Sequence, residues 1–165
     1  MSNSKNIRKA KNIIIKELIS DKEIIKALDV PNIDANATEK LINKYIFDYH
    51  QNPNTVETTS TIITLQVHIP SEYYSQSVAF IKPTIEIWII SHQRKMPLKN
   101  IPKQYGNRND YISELLDAKL NGRTDFGFGV LNLKSNVEGA LQQDYLYRKM
   151  VFEFTDLNNS LCKDE

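Results

Sequence analysis

The sequence is poor in the residues that build disulfide frameworks and metal centres. Its 165 residues include a single cysteine, Cys162, and three histidines. One cysteine excludes an internal disulfide and a cysteine-rich zinc site, and it fits synthesis in a reducing compartment. His50, His68 and His92 have no cysteine partners and no helical spacing that would define a metal-binding face. We therefore expect neither a metal nor another cofactor.

Long apolar runs and a strong net charge are also missing. No run approaches the roughly 18 residues that span a bilayer, and the N-terminus lacks the apolar core of a signal peptide. We expect an unsecreted protein without a membrane partner, synthesised in the cytoplasm. The net charge is +1 at pH 7, which excludes a strongly basic nucleic-acid binder and an acidic mimic of nucleic acid. Contact with nucleic acid would have to be local.

Catalytic signatures are absent as well. The chain has no phosphate-binding Gly-Lys-Ser or Gly-Lys-Thr loop and no Gly-X-Ser-X-Gly elbow. Gly127 and Gly129 form only a short Gly-X-Gly that follows a predicted helix, whereas the dinucleotide fingerprint follows a strand. The acids Asp110, Glu114 and Asp117 have a spacing typical of residues that cap and solubilise a helix. We expect no enzymatic activity.

What the chain does contain fits one ordinary globular domain, since 41% of its residues are hydrophobic and 25% are charged. We predict a single domain over residues 1–165. Its parts are an N-terminal helical arm (1–34), an α+β core (36–157) and a flexible tail (158–165).

Three segments have helical patterns. The clearest ends in Asn121-Gly122, begins near an N-cap at Asn107 or Asn109, and carries apolar residues at spacings of three and four: Tyr111, Ile112, Leu115, Leu116 and Leu120. A second pattern runs from Ile7 to Leu28. A third follows the cap Asn36-Ala37-Thr38-Glu39 and has the apolar stripe Leu41, Ile42, Tyr45, Ile46 and Tyr49.

Strand patterns occupy most of the remaining core. Residues 56–69 and 79–90 are dense in β-branched residues that alternate with polar ones, and Pro70–Gln76 would connect them as a hairpin-like loop. Val130 begins a third strand, Ser135–Gly139 has the composition of a turn, and residues 145–155 form a fourth strand. The predicted fold is α+β: a mainly antiparallel sheet of about four strands flanked by two to three helices.

Two basic segments and one tryptophan are candidates for interaction. The irregular segment 92–107, here called the basic loop, contains Arg94, Lys95, Lys99 and Lys103, with Arg108 just beyond, and no acid occurs from Ile87 through Asn109. It either contacts an acidic neighbour or nucleic acid, or is a solvated linker.

A basic N-terminal arm adds Lys5, Arg8, Lys9 and Lys11, followed by Lys16. It is either a solvated helix face or a contact to an acidic partner. Trp88 lies on the polar side of its predicted strand, so either a helix or a neighbouring subunit should cover it.

The order of elements resembles that of tail terminators and head-tail joining proteins in the necks and tails of long-tailed bacteriophages. The second half is also similar to phage tail-completion proteins of low-GC Gram-positive bacteria. The similar text is Arg108-Asn109-Asp110-Tyr111-Ile112, Asn121-Gly122-Arg123-Thr124-Asp125-Phe126-Gly127 and Ser135-Asn136-Val137-Glu138-Gly139. The resemblance covers roughly residues 36–157 and does not include the basic N-terminal helix.

The resemblance implies a virion structural protein that forms a homo-oligomeric ring, commonly a hexamer. Such a ring caps the tail tube, joins it to the head-tail connector and lets DNA pass through its lumen, with non-specific contact to that DNA. The competing hypothesis is an intracellular phage-encoded binding or inhibitor module that acts as a monomer or dimer. Only the first hypothesis requires a higher oligomer.

Overall fold

The structure is a computed structural model that describes residues 3–31, 38–53, 60–69, 80–101, 106–126, 129–154 and 156–157. Its helices are α1 (Asn3–Ser20), α2 (Lys22–Leu28) and α3 (Arg108–Leu120). Its strands are β1 (Ile46–Phe47), β2 (Thr61–His68), β3 (Phe80–Ile81), β4 (Thr84–His92), β5 (Asn132–Ala140), β6 (Tyr145–Glu153) and β7 (Asp156–Leu157). The predicted loop 70–76, Lys103 and the tail 158–165 lie outside the described residues.

Five of these strands form one mixed sheet in the order β1-β2-β4-β6-β5. The short strand β1 runs parallel to β2, and the other neighbours are antiparallel. Strands β3 and β7 form a separate antiparallel pair. The α+β class and the mainly antiparallel sheet are confirmed, with five strands in the main sheet where about four were predicted.

The central strand β4 shows the predicted alternation. Ile85, Ile87 and Ile89 are completely buried on one face, while Glu86 and Trp88 lie on the other and are partly exposed. The register places Leu65 of β2 and Met150 of β6 on either side of Ile87, and all three side chains are fully buried. Alternate residues of three neighbouring strands therefore build one apolar layer.

Helices α1 and α3 pack on that layer, and α2 packs against both of these helices. Ile14 and Leu18 of α1, Ile24 and Leu28 of α2, and Ile112, Leu116 and Leu120 of α3 join the same core cluster as the sheet. The predicted start and stop of α3 are confirmed. The Asn107 side chain accepts a hydrogen bond from the Asp110 amide at 2.9 Å, and Gly122 adopts φ +83° just after the helix ends.

The helix predicted after Asn36 was wrong. Thr38–Leu41 form one short 3₁₀ helix, Asn43 takes a left-handed φ of 60°, and the chain then enters β1. The apolar spacing has another cause: Leu41, Tyr45 and Ile46 reach the core beneath the helices, whereas Phe47 points to the opposite face of the sheet. A turn followed by a strand can therefore place residues with helix-like spacing in the core.

The turn predicted at Ser135–Gly139 was also wrong. These residues lie within β5, and the turn comes later, at 141–144, where Gln142 has φ 71°. Within the described ranges, strand β5 is at the edge of the sheet and pairs only with β6. An edge strand has much of its surface in water, so it tolerates the Ser, Asn and Gly that suggested a turn.

Ion pairs tie the N-terminal helices to the end of α3. Lys119 Nζ lies 3.0 Å from Asp21 and 3.4 Å from Glu17, and Arg123 Nη1 lies 2.9 Å from Glu17. Burial raises the pKa of both acids, but their hydrogen bonds and the nearby cations outweigh it, so both pKa values fall below their ordinary range. The same contacts raise the pKa of Lys119.

We predict that the double variant Glu17→Gln, Asp21→Asn is less stable than the wild type at pH 7, by about 1 kcal/mol. Asn keeps the hydrogen-bond acceptor that caps α2. Acids with a lowered folded-state pKa stabilise the protein above their unfolded pKa, and this stability is lost as pH falls through the folded value. Urea unfolding should therefore show the difference between the two proteins shrinking as the pH falls below about 4, the ordinary range of carboxyl groups.

The control for this prediction is Glu39→Gln, which changes an exposed acid in the short 3₁₀ helix. Its difference from the wild type should stay near zero at every pH. A deficit of the double variant that is the same at pH 7 and at pH 3 would contradict the ion-pair explanation.

Candidate functional site

The face of the sheet opposite the helices carries a second cluster of apolar and aromatic side chains, which we call the aromatic face. Its buried members are Phe47, Ile62 and Ile90, and Trp88, Leu141, Tyr145 and Tyr147 pack against them while partly exposed. The cluster arises because β1, β2, β4 and β6 each turn alternate side chains away from the helices.

Trp88 lies at the centre of the aromatic face and is held from several sides. Its ring centroid is 4.9 Å from that of Tyr147 and 5.6 Å from that of His50. Lys149 Nζ lies 5.0 Å from the ring centroid, and the indole N–H donates to Glu86 Oε2 at 3.3 Å. The indole orientation is therefore fixed before a partner binds.

Glu86 and Lys149 form an ion pair of 2.9 Å beside the indole. Burial raises the pKa of Glu86, but the hydrogen bond and charge of Lys149 lower it by more, so the carboxylate is ionised at neutral pH. The pair places a fixed charge pattern next to an apolar surface, as in the polar rim of a protein interface.

Gly139 allows Tyr147 to lie flat across the edge strand. The two residues are paired across β5 and β6, and a Cβ atom on Gly139 would be 2.7 Å from Tyr147 Cζ. Non-bonded carbon atoms do not approach so closely, so a side chain at position 139 would displace the Tyr147 ring. The Tyr147 ring in turn contacts Trp88, which makes Gly139 part of the support of the aromatic face.

No helix residue in the described ranges joins the aromatic face, because the buried apolar residues of α1, α2 and α3 all belong to the other cluster. Beyond Lys149 the same face continues to Val137 of β5, which is 48% exposed. Beyond Phe47 lies Tyr49, 46% exposed, with its ring 5.5 Å from that of Phe47. An apolar patch of this kind is typical of an interaction site.

The basic loop keeps only part of its charge free. Arg94 and Lys99 are exposed, whereas Lys95 is half-buried and forms an ion pair of 2.7 Å with Asp29. The described part of the loop also contains regular structure, namely a 3₁₀ helix at Gln93–Lys95 and a β-bridge between Pro97 and Asn107. Lys103 lies outside the described residues.

Arg108, predicted to face DNA or a neighbour, is instead a core residue with 1% of its surface exposed. Its guanidinium donates to three backbone carbonyls and a side-chain amide, namely those of Ala27, Lys95, Pro97 and Asn100. Burial lowers its pKa, and Asp29, with a carboxylate oxygen 3.7 Å away, opposes that shift. The cation joins the end of α2 to the basic loop and the start of α3, so its charge cannot serve a partner.

In the N-terminal arm, unlike at Arg108, most of the predicted cations are exposed. Lys5, Arg8 and Lys9 are exposed on α1, as is Lys16. Lys11 is half-buried and donates to the backbone carbonyl of Asp48, so it anchors the helix.

Arg148 forms a network that sequence reasoning missed. Its guanidinium donates to Asp110 at 2.7 Å, to Asn136 at 3.1 Å and to Glu138 at 3.1 Å. Of these residues, Arg148 and Glu138 border an open cleft of about 290 Å³, together with Met96 and Asn109. The sequence signal was Arg148 itself, the one charged residue on the apolar side of its strand pattern.

Two absences concern the described residues only. They contain no group of three or more histidine, cysteine, aspartate or glutamate side chains placed to hold a metal ion. None of the described helices qualifies as a transmembrane span, and α1, the longest with 18 residues, carries six charged side chains.

Comparison with known proteins places the chain in a family. The YomW family model matches residues 21–154, which is most of the sequence. The chain belongs to the YomW family. That family is named after a gene in a phage region of Bacillus, so the expected phage association holds at this level. No curated protein matches the sequence. The matched region includes every residue of the aromatic face, whereas α1 lies before it.

We predict that Arg108→Met destabilises the protein by about 3 kcal/mol or more. The substitution leaves three backbone carbonyls and the Asn100 side-chain oxygen without their buried donor, and several acceptors left unsatisfied together typically cost this much. The free energy of unfolding in urea measures the effect. The matched control is Arg94→Met, an exposed arginine in the same loop, with an expected change below about 0.5 kcal/mol. Equal effects of the two variants would refute the core role of Arg108.

Proposed function

We propose that this YomW-family protein is a structural subunit of the phage neck or tail. In this proposal its copies form a closed ring that terminates the tail tube and joins it to the head, with DNA passing through. The observation that carries the proposal is the aromatic face, a pre-ordered apolar surface on the side of the sheet away from the helices. The phage association of the YomW family supports the same proposal.

The contacts of Trp88 fit a surface that binds another folded protein. Aromatic side chains held in place by neighbours lose little conformational entropy on binding, and tryptophan and tyrosine are enriched among residues that dominate interface energy. Trp88 and Tyr147 are in contact and partly exposed, with the Glu86–Lys149 pair beside them. A partner that covers the two rings would bury apolar area without first ordering it.

Strand β5 supplies a second, different surface. It is nine residues long, pairs on one side with β6 and is largely exposed. A ring needs heterologous contacts, in which one patch of each copy meets another patch of the next. The aromatic face and the β5 edge adjoin each other at Gly139 and Val137, so each copy has two different adjoining patches that neighbouring copies can bind.

The proposed partners of the ring are those that the sequence resemblance implies. A hexameric ring would contact the tail tube on one side and the head-tail connector on the other, within the virion. The exposed cations Arg94 and Lys99 are then available to a neighbouring subunit or another neck protein. Lys95 and Arg108 are not, because both are engaged within the chain.

We predict that Val137→Lys weakens self-association at least tenfold without unfolding the protein. Val137 is about half exposed on the aromatic face, so lysine is accommodated in the free subunit but would be a desolvated charge in the assembly. Native mass spectrometry and light scattering across concentration should show a closed oligomer for the wild type and smaller species for the variant.

The matched control is Val130→Lys, a valine of similar exposure (45%) outside the named strands and helices. Its oligomer should match that of the wild type. Immunolabelling of purified phage particles should also place the protein at the neck or tail. A protein that stays monomeric at every concentration and is absent from particles would overturn the proposal and favour the intracellular binding or inhibitor module.

A further inference from the structure

Helix α1 carries a line of four basic side chains and one asparagine, which we call the basic stripe: Lys5, Arg8, Lys9, Asn12 and Lys16. Spacings of three and four put them on one side of the helix, and Lys5 and Lys16 are separated by roughly 16 Å along its axis. All five are exposed, whereas Ala10, Ile14 and Leu18 on the other side are buried in the core. With neighbouring α1 residues they line a shallow depression of about 340 Å³.

The acids near the stripe are bound by cations that do not belong to it. Glu17 is the first acid in the sequence, and its carboxylate is bound by Lys119 and Arg123. Arg123 forms an ion pair of 2.7 Å with Asp125 and is the main cause of its lowered pKa, to which the charge of Lys9 also contributes. No cation of the stripe forms an ion pair with a residue that the structure describes.

We propose that the basic stripe binds the phosphate backbone of duplex DNA without reading its sequence. Lysine, arginine and asparagine donate the hydrogen bonds that proteins make to phosphate oxygens. Duplex DNA carries one negative charge per about 1.7 Å of axis, so a stripe of this length faces several phosphates. This inference deepens the proposed function, because it assigns a contact for the DNA that passes through the ring, but the binding itself does not need a ring.

A membrane surface fits the stripe less well. Helices that bind in the plane of a bilayer insert an apolar face beneath the headgroups. The apolar face of α1 is already buried against α2 and the sheet, so only the polar side is available.

An acidic protein and single-stranded nucleic acid also fit less well. Protein interfaces have aromatic or aliphatic anchors at their centre, and lysine is depleted there. Proteins that bind single strands stack bases on aromatic rings. The stripe has no aromatic residue, and the one apolar side chain bordering the depression is the half-buried Ile13. Charge alone favours the duplex, which has the higher charge density.

The test uses the full-length protein and fluorescently labelled duplex DNA of two unrelated sequences, with binding followed by anisotropy between 50 and 200 mM salt. Four neutralised phosphates predict a slope of log K against log salt of roughly −3 to −4, or about a 100-fold loss of affinity over this range. The two sequences should bind equally. A single strand of the same length should bind more weakly, and a tighter single-strand complex would overturn the duplex assignment.

The stripe variant replaces Lys5, Arg8, Lys9 and Lys16 with glutamine. We expect at least a tenfold weaker complex at 50 mM salt and a slope near zero. The matched control replaces Lys22, Lys26, Lys40 and Lys44, four exposed lysines elsewhere, and has the same formal charge. It should stay within about threefold of the wild type. Circular dichroism checks that both variants are folded.

Equal losses in the two variants would show that net charge alone controls binding, and would overturn the stripe assignment. So would a stripe variant that binds like the wild type, or a wild type that binds vesicles of anionic lipid or an acidic protein but not duplex DNA. A monomer that binds DNA through the stripe would remove the ring and leave this inference standing. A ring that fails to bind DNA would remove the inference and leave the ring.

Discussion

Strand β4 is hydrogen-bonded to β2 on one side and to β6 on the other, and this double pairing fixes the two faces of the sheet. Once Ile85, Ile87 and Ile89 face the helices, every intervening side chain must face away from them. Trp88 is therefore placed outside by the same register that builds the core. A shift of one residue would exchange the two surfaces, so core packing and the presentation of the indole depend on one constraint.

Elements were predictable from the sequence where the surroundings in the fold agree with the local preference of the chain. The alternation in β4 and the caps of α3 belong to this class, since each follows from local geometry. The errors occurred where surroundings outweigh local preference. Tyr45 and Ile46 have helical spacing but enter a strand, because β2 offers backbone partners there. Ser135–Gly139 lie in a strand because β6 supplies hydrogen bonds that composition does not reveal.

Charge was easier to locate in the sequence than to interpret. Arg108 and Arg94 lie in or next to the same basic segment, yet one is buried and the other is exposed. The carbonyl of Ala27 that receives the Arg108 guanidinium is 81 residues away in the sequence, so no local pattern could reveal it. On α1 the helical spacing itself shows which cations share a side, and the candidate arm was therefore partly readable. The aromatic face was less so, because it combines residues from four strands.

The long-range attachment of α1 has a consequence for synthesis of the chain. Glu17 is joined to Lys119, which follows 102 residues later, and much of the core that covers α1 lies between them. At about 5–20 residues per second, the ribosome needs roughly 5–20 s to deliver those partners. During this interval Ile14 and Leu18 have no completed core to enter, so α1 lacks the tertiary packing that supplies most of the stability of a helix in a protein. Helix α1 is thus made before α3 and the sheet but is secured only after them.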